Sequence, residues 1–328
     1  TTLIDMSSAT DGWAIASKSA NGDTPLIVLH YTNGRWTRVL THMQGKINAL
    51  KVLSATNGWA IGDHIYHYDG RTWQEVFAPG QNKEDQYETI AVAAPSSVWI
   101  TSQNDSSQIL YFDGSAWTWQ NLPSPATRGL LYNQINSISM TSGHEGWAVA
   151  RMSYMAPSNA PYPLSVVLHY ADGVWSVDRT CQQCELTTVS AVSPSVVWIG
   201  GSRDTSTGPN TARLMPLLWQ LSDGNWRDVP IPNSFGRGPL TGQVGRIQML
   251  STTEGWMIAY VGDAVAGGAQ YNPLFYLKNR QWVETSVLSV PIPTVGMALA
   301  FVSSSEFWGL GEYGISHYLH GVWKNVVA

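Results

Sequence analysis

The chain has 328 residues, 44% of them hydrophobic and only 12% charged, with a formal net charge of −5 at pH 7. Its charged side chains are scattered without a run of Lys or Arg, which excludes the basic footprint of proteins that bind nucleic acid or an anionic membrane. No apolar run reaches the roughly 18 residues of a spanning helix, so we predict no direct membrane insertion.

A unit with two tryptophans recurs seven times, and its clearest copy is Ile47–Val76. The first Trp recurs on average about every 49 residues, the period of a four-stranded propeller blade rather than of a helical solenoid. The two Trp positions account for fourteen of the 16 tryptophans. The first Trp of each copy is Trp13, Trp59, Trp99, Trp147, Trp198, Trp256 and Trp308, and the second is Trp36, Trp73, Trp117, Trp175, Trp226, Trp282 and Trp323.

Each copy predicts four strands, which we call A to D. In the clearest copy they are Ile47–Ser54, Gly58–Gly62, Ile65–Tyr68 and Thr72–Val76, with an Asp-Gly hairpin turn between the last two. The sequence therefore predicts an all-β fold, a seven-bladed β-propeller with four antiparallel strands per blade. We expect a single domain, 1–328, with approximate blades 1–41, 42–79, 80–123, 124–180, 181–231, 232–287 and 288–328.

Strand A separates into apolar and polar columns when the copies are aligned on the first Trp. The apolar columns, such as that of Ile4 and Leu50, are predicted to pack between neighbouring sheets because alternate residues share a face. The small and polar residues between them are predicted to line a narrow central channel. These are Asp5, Lys51, Ala91, Ser139, Ser190, Gln248 and Ala300, and, two residues earlier, Leu3, Ala49, Thr89, Ser137, Thr188, Arg246 and Ala298.

The Gly58–Gly62 step, Gly-Trp-Ala-Ile-Gly, is followed by an Asp-Gly-x-x-Trp turn at Asp69. This combination resembles bacterial propeller repeats related to the Asp-box proteins, which include sialidases, sortilin-type receptors and photosystem assembly factors. The resemblance covers the whole chain and implies the fold rather than one function. An Asp-box has Ser or Thr two residues before its Asp, whereas His67 stands there.

The connections between strands B and C and between strands D and A are long, and in a four-stranded blade both lie on one face. Variable loops on a rigid scaffold commonly carry binding sites, so this face is the predicted ligand-binding face. The alternative for each side chain is that it covers the blade beneath it. The predicted ligand-binding residues are Tyr87, Arg128, Tyr132, Tyr154, Tyr162, Arg213, Phe235, Arg237, Arg246 and Tyr271, and the same loops contain Arg203 and Tyr260.

A glycosidase needs two carboxylates flanking the scissile bond, and a sialidase-like site also needs several converging arginines. The predicted channel columns offer one carboxylate, Asp5, with Lys51 and Arg246. We therefore predict no catalytic residues and no cofactor. The predicted function is non-catalytic binding of a protein or glycan; the alternatives are a carbohydrate-active enzyme of sialidase or glycosidase type and an assembly factor for a membrane-protein complex.

Four histidines occupy one strand C position: His30, His67, His169 and His317. Equivalent positions of a propeller lie too far apart to share a metal ion, so we predict structural histidines, each paired within its own blade. The repeated tryptophans are likewise predicted to pack blade against blade. Cys181 and Cys184 lack the second pair that a zinc site needs, which leaves a local disulfide in an exported protein or two inert thiols.

The first and last copies of the repeat each contain four complete predicted strands. We therefore predict that blades one and seven meet through side chains, with Ile4 and Met6 against Trp308 and Ile315. The sequence begins at Thr1 without an initiator Met or a signal-like segment, so we expect a processed or excised domain. We predict an extracytoplasmic monomer, secreted or tethered as an ectodomain, whose targeting segment lies outside these residues.

Overall fold

The computed structural model describes residues 2–17, 25–77, 86–125, 129–154, 164–206, 214–232, 241–262, 272–285, 298–311 and 314–327. All regular structure in these ranges is β-strand. None of the described residues forms a helix long and apolar enough to cross a membrane. The chain divides into two compact units, Thr1–Gln120 with Ile292–Ala328, and Asn121–Pro291.

The first unit contains blades one, two, three and seven. Blade one is β1 (Thr2–Ser8), β2 (Asp11–Ala16), β3 (Ile27–Thr32) and β4 (Arg35–Val39). Blade two is β5 (Ile47–Ser54), β6 (Asn57–Gly62), β7 (Ile65–Tyr68) and β8 (Trp73–Val76). Blade three is β9 (Tyr87–Ala94), β10 (Ser97–Ser102), β11 (Gln108–Phe112) and β12 (Trp117–Asn121). Blade seven is β25 (Ala298–Phe301), β26 (Glu306–Gly311), β27 (Gly314–Leu319) and β28 (Val322–Val327).

The second unit contains blades four, five and six. Blade four is β13 (Leu130–Ser142), β14 (Glu145–Tyr154), β15 (Leu164–Ala171) and β16 (Val174–Gln182). Blade five is β17 (Cys184–Ser193), β18 (Val196–Asp204), β19 (Leu214–Ser222) and β20 (Asn225–Asp228). Blade six is β21 (Thr241–Met249), β22 (Gly255–Gly262), β23 (Leu274–Lys278) and β24 (Gln281–Glu284).

Every blade is a four-stranded antiparallel sheet whose strands follow one another in chain order. This confirms the predicted seven blades of four strands. The hairpin turns between strands C and D also follow the prediction. Most of them place two residues at positive φ, which is the backbone conformation of the tight turns that Asn-Gly and Asp-Gly favour. The first residue of these turns is Asn33, Asp172, Asp223, Asn279 or His320.

The two tryptophan columns form edge-to-face pairs between neighbouring blades. The first Trp of one blade meets the second Trp of the next, a geometry that aromatic rings favour. This confirms that the repeated tryptophans pack blade against blade. The ring centroids lie 5.4 Å apart for Trp13–Trp73, 5.8 Å for Trp59–Trp117, 5.6 Å for Trp308–Trp36, 5.7 Å for Trp147–Trp226 and 5.3 Å for Trp198–Trp282.

Blades seven and one pack within the first unit through side chains. Ile4 is buried in one cluster with Trp308 and Ile315, and Met6 packs against that cluster. Strand β1 pairs with β2 in its own sheet, and β28 pairs with β27 in another. The predicted side-chain seam is therefore confirmed.

Strand A carries a β-bulge before or at its midpoint in blades two to six. The extra residue is Asn48 in blade two and Gly245 in blade six. A bulge reverses the alternation of side chains, so the residue before it turns into the core. Those residues are Ile47, Tyr87, Ile135, Leu186 and Val244, all of them buried.

Candidate binding face

The polar residues of strand A hold neighbouring blades together. In blades one, four and five, the side chain at the predicted channel position accepts a hydrogen bond from a backbone N–H of the next blade's strand A. Thr188 and Ser137, two residues before that position, act in the same way. The bonds of the first set run from Val52 N to Asp5 Oδ2 (2.7 Å), from Ala191 N to Ser139 Oγ (3.0 Å) and from Met249 N to Ser190 Oγ (3.0 Å).

The bulge residues add a second set of bonds between blades. In three blades the bulge residue has a side-chain donor. That donor bonds to a backbone carbonyl of the next blade, at the residue that precedes the next blade's own bulge. The donors and acceptors are Asn48 Nδ2 to Tyr87 O (2.8 Å), Asn136 Nδ2 to Leu186 O (2.6 Å) and Thr187 Oγ1 to Val244 O (2.5 Å).

These bonds give the polar residues of strand A a role besides the predicted lining of a channel. A buried backbone N–H or carbonyl costs free energy unless it is paired. The Ser, Thr, Asn and Asp side chains of strand A supply that pairing between neighbouring sheets. Their hydrogen bonds therefore hold neighbouring blades together.

The strand C histidines pair within their own blades, as predicted. Each imidazole packs against the first Trp of its blade, with centroids 4.1 Å apart for His30 and Trp13 and 3.8 Å apart for His317 and Trp308. Each also bonds to a polar side chain two residues before that Trp. The partners are Asp11 for His30, Asn57 for His67, Glu145 for His169 and Glu306 for His317.

His67 differs from the other three because its partner, Asn57, is uncharged. The contact joins Asn57 Nδ2 and His67 Nε2 at 2.9 Å. Burial lowers the pKa of His67, and the nearby Asp69 carboxylate opposes that shift only in part. The lowered pKa and the Asn57 amide donor both favour the neutral imidazole, with Nε2 as the acceptor.

The two cysteines form a disulfide at the junction of blades four and five. Cys181 is the penultimate residue of β16 and Cys184 begins β17, with their Cα atoms 5.5 Å apart. The same seam is reinforced further out, where the Arg179 guanidinium lies 4.5 Å from the Trp219 ring. A cation above an aromatic face is attracted to it. Disulfide and cation–π contact together fasten these two blades.

The hydrogen bonds between blades show which ends of neighbouring sheets lie side by side. Because the bonds advance in step along the strands A of blades four, five and six, those strands run parallel in the second unit. The ends where strands A and C begin and strands B and D end therefore share one edge of the unit. We call this the long-connection edge, and the opposite edge, with the A–B and C–D hairpins, the turn edge.

The turn edge satisfies its own polar groups. The carboxylate of Asp69 accepts the N–H groups of Arg71 (2.9 Å) and Thr72 (2.8 Å), which lowers the pKa of Asp69. The backbone hydrogen bond from Ala116 is the main cause of the lowered pKa of Asp113 in the next blade. These two carboxylates therefore form their hydrogen bonds within their own turns.

The predicted ligand-binding residues divide between the described and the remaining parts of the chain. Arg128, Tyr162, Arg213, Phe235, Arg237 and Tyr271 lie outside the described residues, and Tyr154 is described only as the backbone end of β14. Arg246 has an exposed side chain and its Nη2 donates to Gln248 Oε1 (3.2 Å).

Tyr87 is fully buried, 0% exposed, in the core between blades two and three. The sequence places it at the end of a long connection, but it is the first residue of β9 and precedes the bulge. It therefore packs between the blades.

Tyr132 lies at the long-connection edge of blade four. Its hydroxyl donates to the carbonyl of Pro123 (2.9 Å), which ties the start of blade four to the connection before it. Burial raises the pKa of Tyr132 to about 12. The phenol thus stays neutral over the physiological range, and its ring is half-buried.

Exposed apolar side chains stand at the long-connection edge of the second unit. Leu131 in β13 is 49% exposed and Leu214, the first residue of β19, is 42% exposed. Tyr260, near the end of β22, is 45% exposed. Sequence reasoning favoured arginines and aromatic residues there and missed both leucines. Their positions at strand ends next to long connections were the available signal.

No group of three or more His, Cys, Asp or Glu side chains that could hold a metal ion occurs among the described residues. The His–carboxylate pairs are separate, one to a blade. A glycosidase requires two carboxylates on either side of one bond. Three acidic residues of the described strands pair instead with basic side chains: Asp11 with His30, Asp5 with Lys51, and Glu185 with Arg151.

Comparison with solved structures identifies the fold. YCF48 bound to D1 peptide is 14% identical, with a TM-score of 0.57 over 97% of this chain and 93% of that one. The propeller domain of the Trilobed protease from Pyrococcus furiosus is 8% identical, with a TM-score of 0.60 over 100% and 98% of the two chains. This chain folds as a β-propeller.

A GH74 xyloglucanase from Xanthomonas campestris is also similar, at 14% identity and a TM-score of 0.59. The match covers 97% of this chain and 51% of that one. At such identities the likeness shows the fold alone. No protein-family model matches the chain, and no curated protein sequence matches it.

Proposed function

We propose that this propeller is a non-catalytic binding module that works outside the cytoplasm and captures a protein partner at its long-connection edge. The carrying observation is the exposure of two leucines beside the long connections of the second unit. Leu131 and Leu214 expose large apolar surface where the long connections leave the sheets. Exposed apolar anchors beside variable loops are typical of recognition surfaces.

The use of the polar side chains supports binding rather than catalysis. Asp5, the one carboxylate of the predicted channel columns, accepts the Val52 N–H and pairs with Lys51 Nζ at 3.3 Å. A catalytic acid or base must be available to a substrate. Asp5 instead completes the contact between blades one and two.

A peptide or protein ligand is supported by the likeness to YCF48, whose solved structure is bound to D1 peptide. The fold thus accommodates a peptide on a chain of similar length. A glycan ligand remains the competing outcome of the experiment, as does glycoside hydrolysis. The cysteine pairing supports the extracytoplasmic location, because disulfides persist in oxidising compartments.

Capture of a partner should depend on the two exposed leucines. The wild-type domain is first used to capture and cross-link its partner in an extracytoplasmic extract. Under the same conditions we expect the double variant L131S/L214S to capture at least tenfold less of that partner. Each large side chain that is buried on binding contributes about 1.5–3 kcal/mol, so two of them are worth more than a factor of ten. The measurement is quantitative mass spectrometry of the cross-linked partner.

Val174 provides the matched control, because it is 65% exposed and lies on the turn edge of blade four. V174S should capture the partner as the wild type does, and both variants should keep the wild-type melting temperature within a few degrees. Equal losses in V174S and L131S/L214S would place the contact elsewhere. Release of sugars from a polysaccharide panel would contradict a non-catalytic role.

A further inference from the structure

Tyr260 stands out among the exposed side chains because the backbone beneath it holds its ring in place. It lies in β22 opposite Gln243 of β21. Its neighbours Ala259 and Val261 are buried in the core between blades five and six. Alternation along the strand therefore turns the Tyr260 ring away from that core and toward the solvent.

The ring occupies the space that a side chain at position 245 would fill. A β-carbon added to Gly245 would lie 2.6 Å from Tyr260 Cδ2 and closer still to Cε2, which is steric overlap. Asn48, Asn136 and Thr187 take the equivalent bulge position in other blades and bond to the next blade. In blade six a glycine and an aromatic ring replace that bond.

This arrangement fixes an aromatic surface without hiding it. Tyr260 is 45% exposed although one edge of its ring rests on the Gly245 backbone. A ring that is already immobilised loses little conformational entropy when a ligand stacks on it.

Two hydrogen-bonding residues of β21, Gln243 and Arg246, lie close to Tyr260 in the strand pairing. Gln243 is directly opposite Tyr260 in the strand pair, so the two side chains project from the same face of the sheet. Arg246 follows Gly245 in the bulge and is exposed. A carboxamide offers both a donor and an acceptor, and a guanidinium offers a fork of donors.

We infer that the Tyr260 platform binds one pyranose ring of a glycan. A pyranose has a face of C–H groups that stacks on an aromatic ring and a rim of hydroxyls that needs donors and acceptors. Tyr260 supplies the first, and Gln243 and Arg246 supply the second. The residue paired with Tyr260 is a glutamine and Arg246 follows in the same strand, which favours a hydroxylated ligand over an apolar peptide anchor. This site is independent of Leu131 and Leu214.

The test is a glycan array carrying neutral and acidic pyranose oligosaccharides, followed by calorimetric titration of the best-bound oligosaccharide. Y260A should weaken binding at least tenfold, and Y260F should bind within about threefold of the wild type, because the ring face is kept. R246Q should weaken acidic oligosaccharides more than neutral ones, since only the former carry a carboxylate for the guanidinium. V174S should bind as the wild type does.

Two results would overturn the inference. One is an array on which the folded wild-type domain binds no oligosaccharide above background. The other is unchanged affinity in Y260A, with folding of that variant verified by circular dichroism. Loss of glycan binding in Y260A with protein capture intact would separate this site from the partner surface. If Y260A instead keeps glycan binding and loses protein capture, Tyr260 belongs to the partner surface and only the protein-binding proposal stands.

Discussion

Replacing Trp13 with alanine should lower the free energy of unfolding by about 3–5 kcal/mol, the range for truncating a large buried aromatic side chain. Trp13 is 1% exposed, stacks on His30 in its own blade and meets Trp73 of blade two edge to face. Its loss leaves a cavity in the core between two blades. Equilibrium unfolding in urea measures the change.

Trp13→Phe and Val174→Ala are the controls for this prediction. The Trp13 indole nitrogen has no hydrogen-bond acceptor among the described residues, so phenylalanine removes ring area but no bond and should cost less than half as much. Val174→Ala should stay within about 0.5 kcal/mol of the wild type, as exposed substitutions do. A loss below about 1 kcal/mol for Trp13→Ala would contradict the role of the paired tryptophans.

Replacing Asp5 with alanine should cost about 1–3 kcal/mol, because the buried Val52 N–H would lose its acceptor. The bond is 2.7 Å long, and the Asp5 side chain is 9% exposed. The effect should appear as a lower midpoint in urea. It should also appear as faster hydrogen exchange of the Val52 amide, since that amide is bonded to the Asp5 carboxylate.

Two substitutions separate the hydrogen bond from the charge. Asp5→Asn keeps an oxygen that accepts from Val52 and should recover more than half of the loss. Lys51→Ala removes the ion pair from the other side, and a partly exposed pair is worth only about 0–1 kcal/mol. If Lys51→Ala proves as damaging as Asp5→Ala, the ion pair rather than the Val52 bond fastens the two blades.

The period of the repeat was sufficient to predict the fold. Two Trp columns, alternating apolar residues and Asp-Gly turns all describe one local unit, and local patterns survive in a single sequence. The chain-order sheets and the Trp13–Trp73 contact confirm that prediction. The histidines were predicted as structural because their ring-wide spacing excluded a shared metal.

The role of the strand A polar residues was harder to predict. A serine that lines a channel and a serine that bonds to the next blade occupy the same position in an alternating pattern. The bulge at Asn48 and its equivalents shifts the alternation by one residue, and nothing in the residue types marks it reliably. Tyr87 was therefore assigned to the binding face although it is buried.

The binding face was predictable only in outline. Long connections are visible in the sequence, and arginines and aromatic residues in them are reasonable candidates. Their side-chain arrangement depends on loop conformations that no periodicity specifies. Leu131 and Leu214 emerged only once the exposure of each strand end was known, since a leucine beside a strand is ordinarily a core residue.

Hydrogen–deuterium exchange of the domain with and without its captured partner tests the central claim most directly. We expect slower exchange on binding at the long-connection edge, around Leu130–Tyr132 and Leu214, with no change in the hairpins of the turn edge such as 172–174. Protection confined to the turn-edge hairpins, with the long-connection edge unchanged, would contradict it.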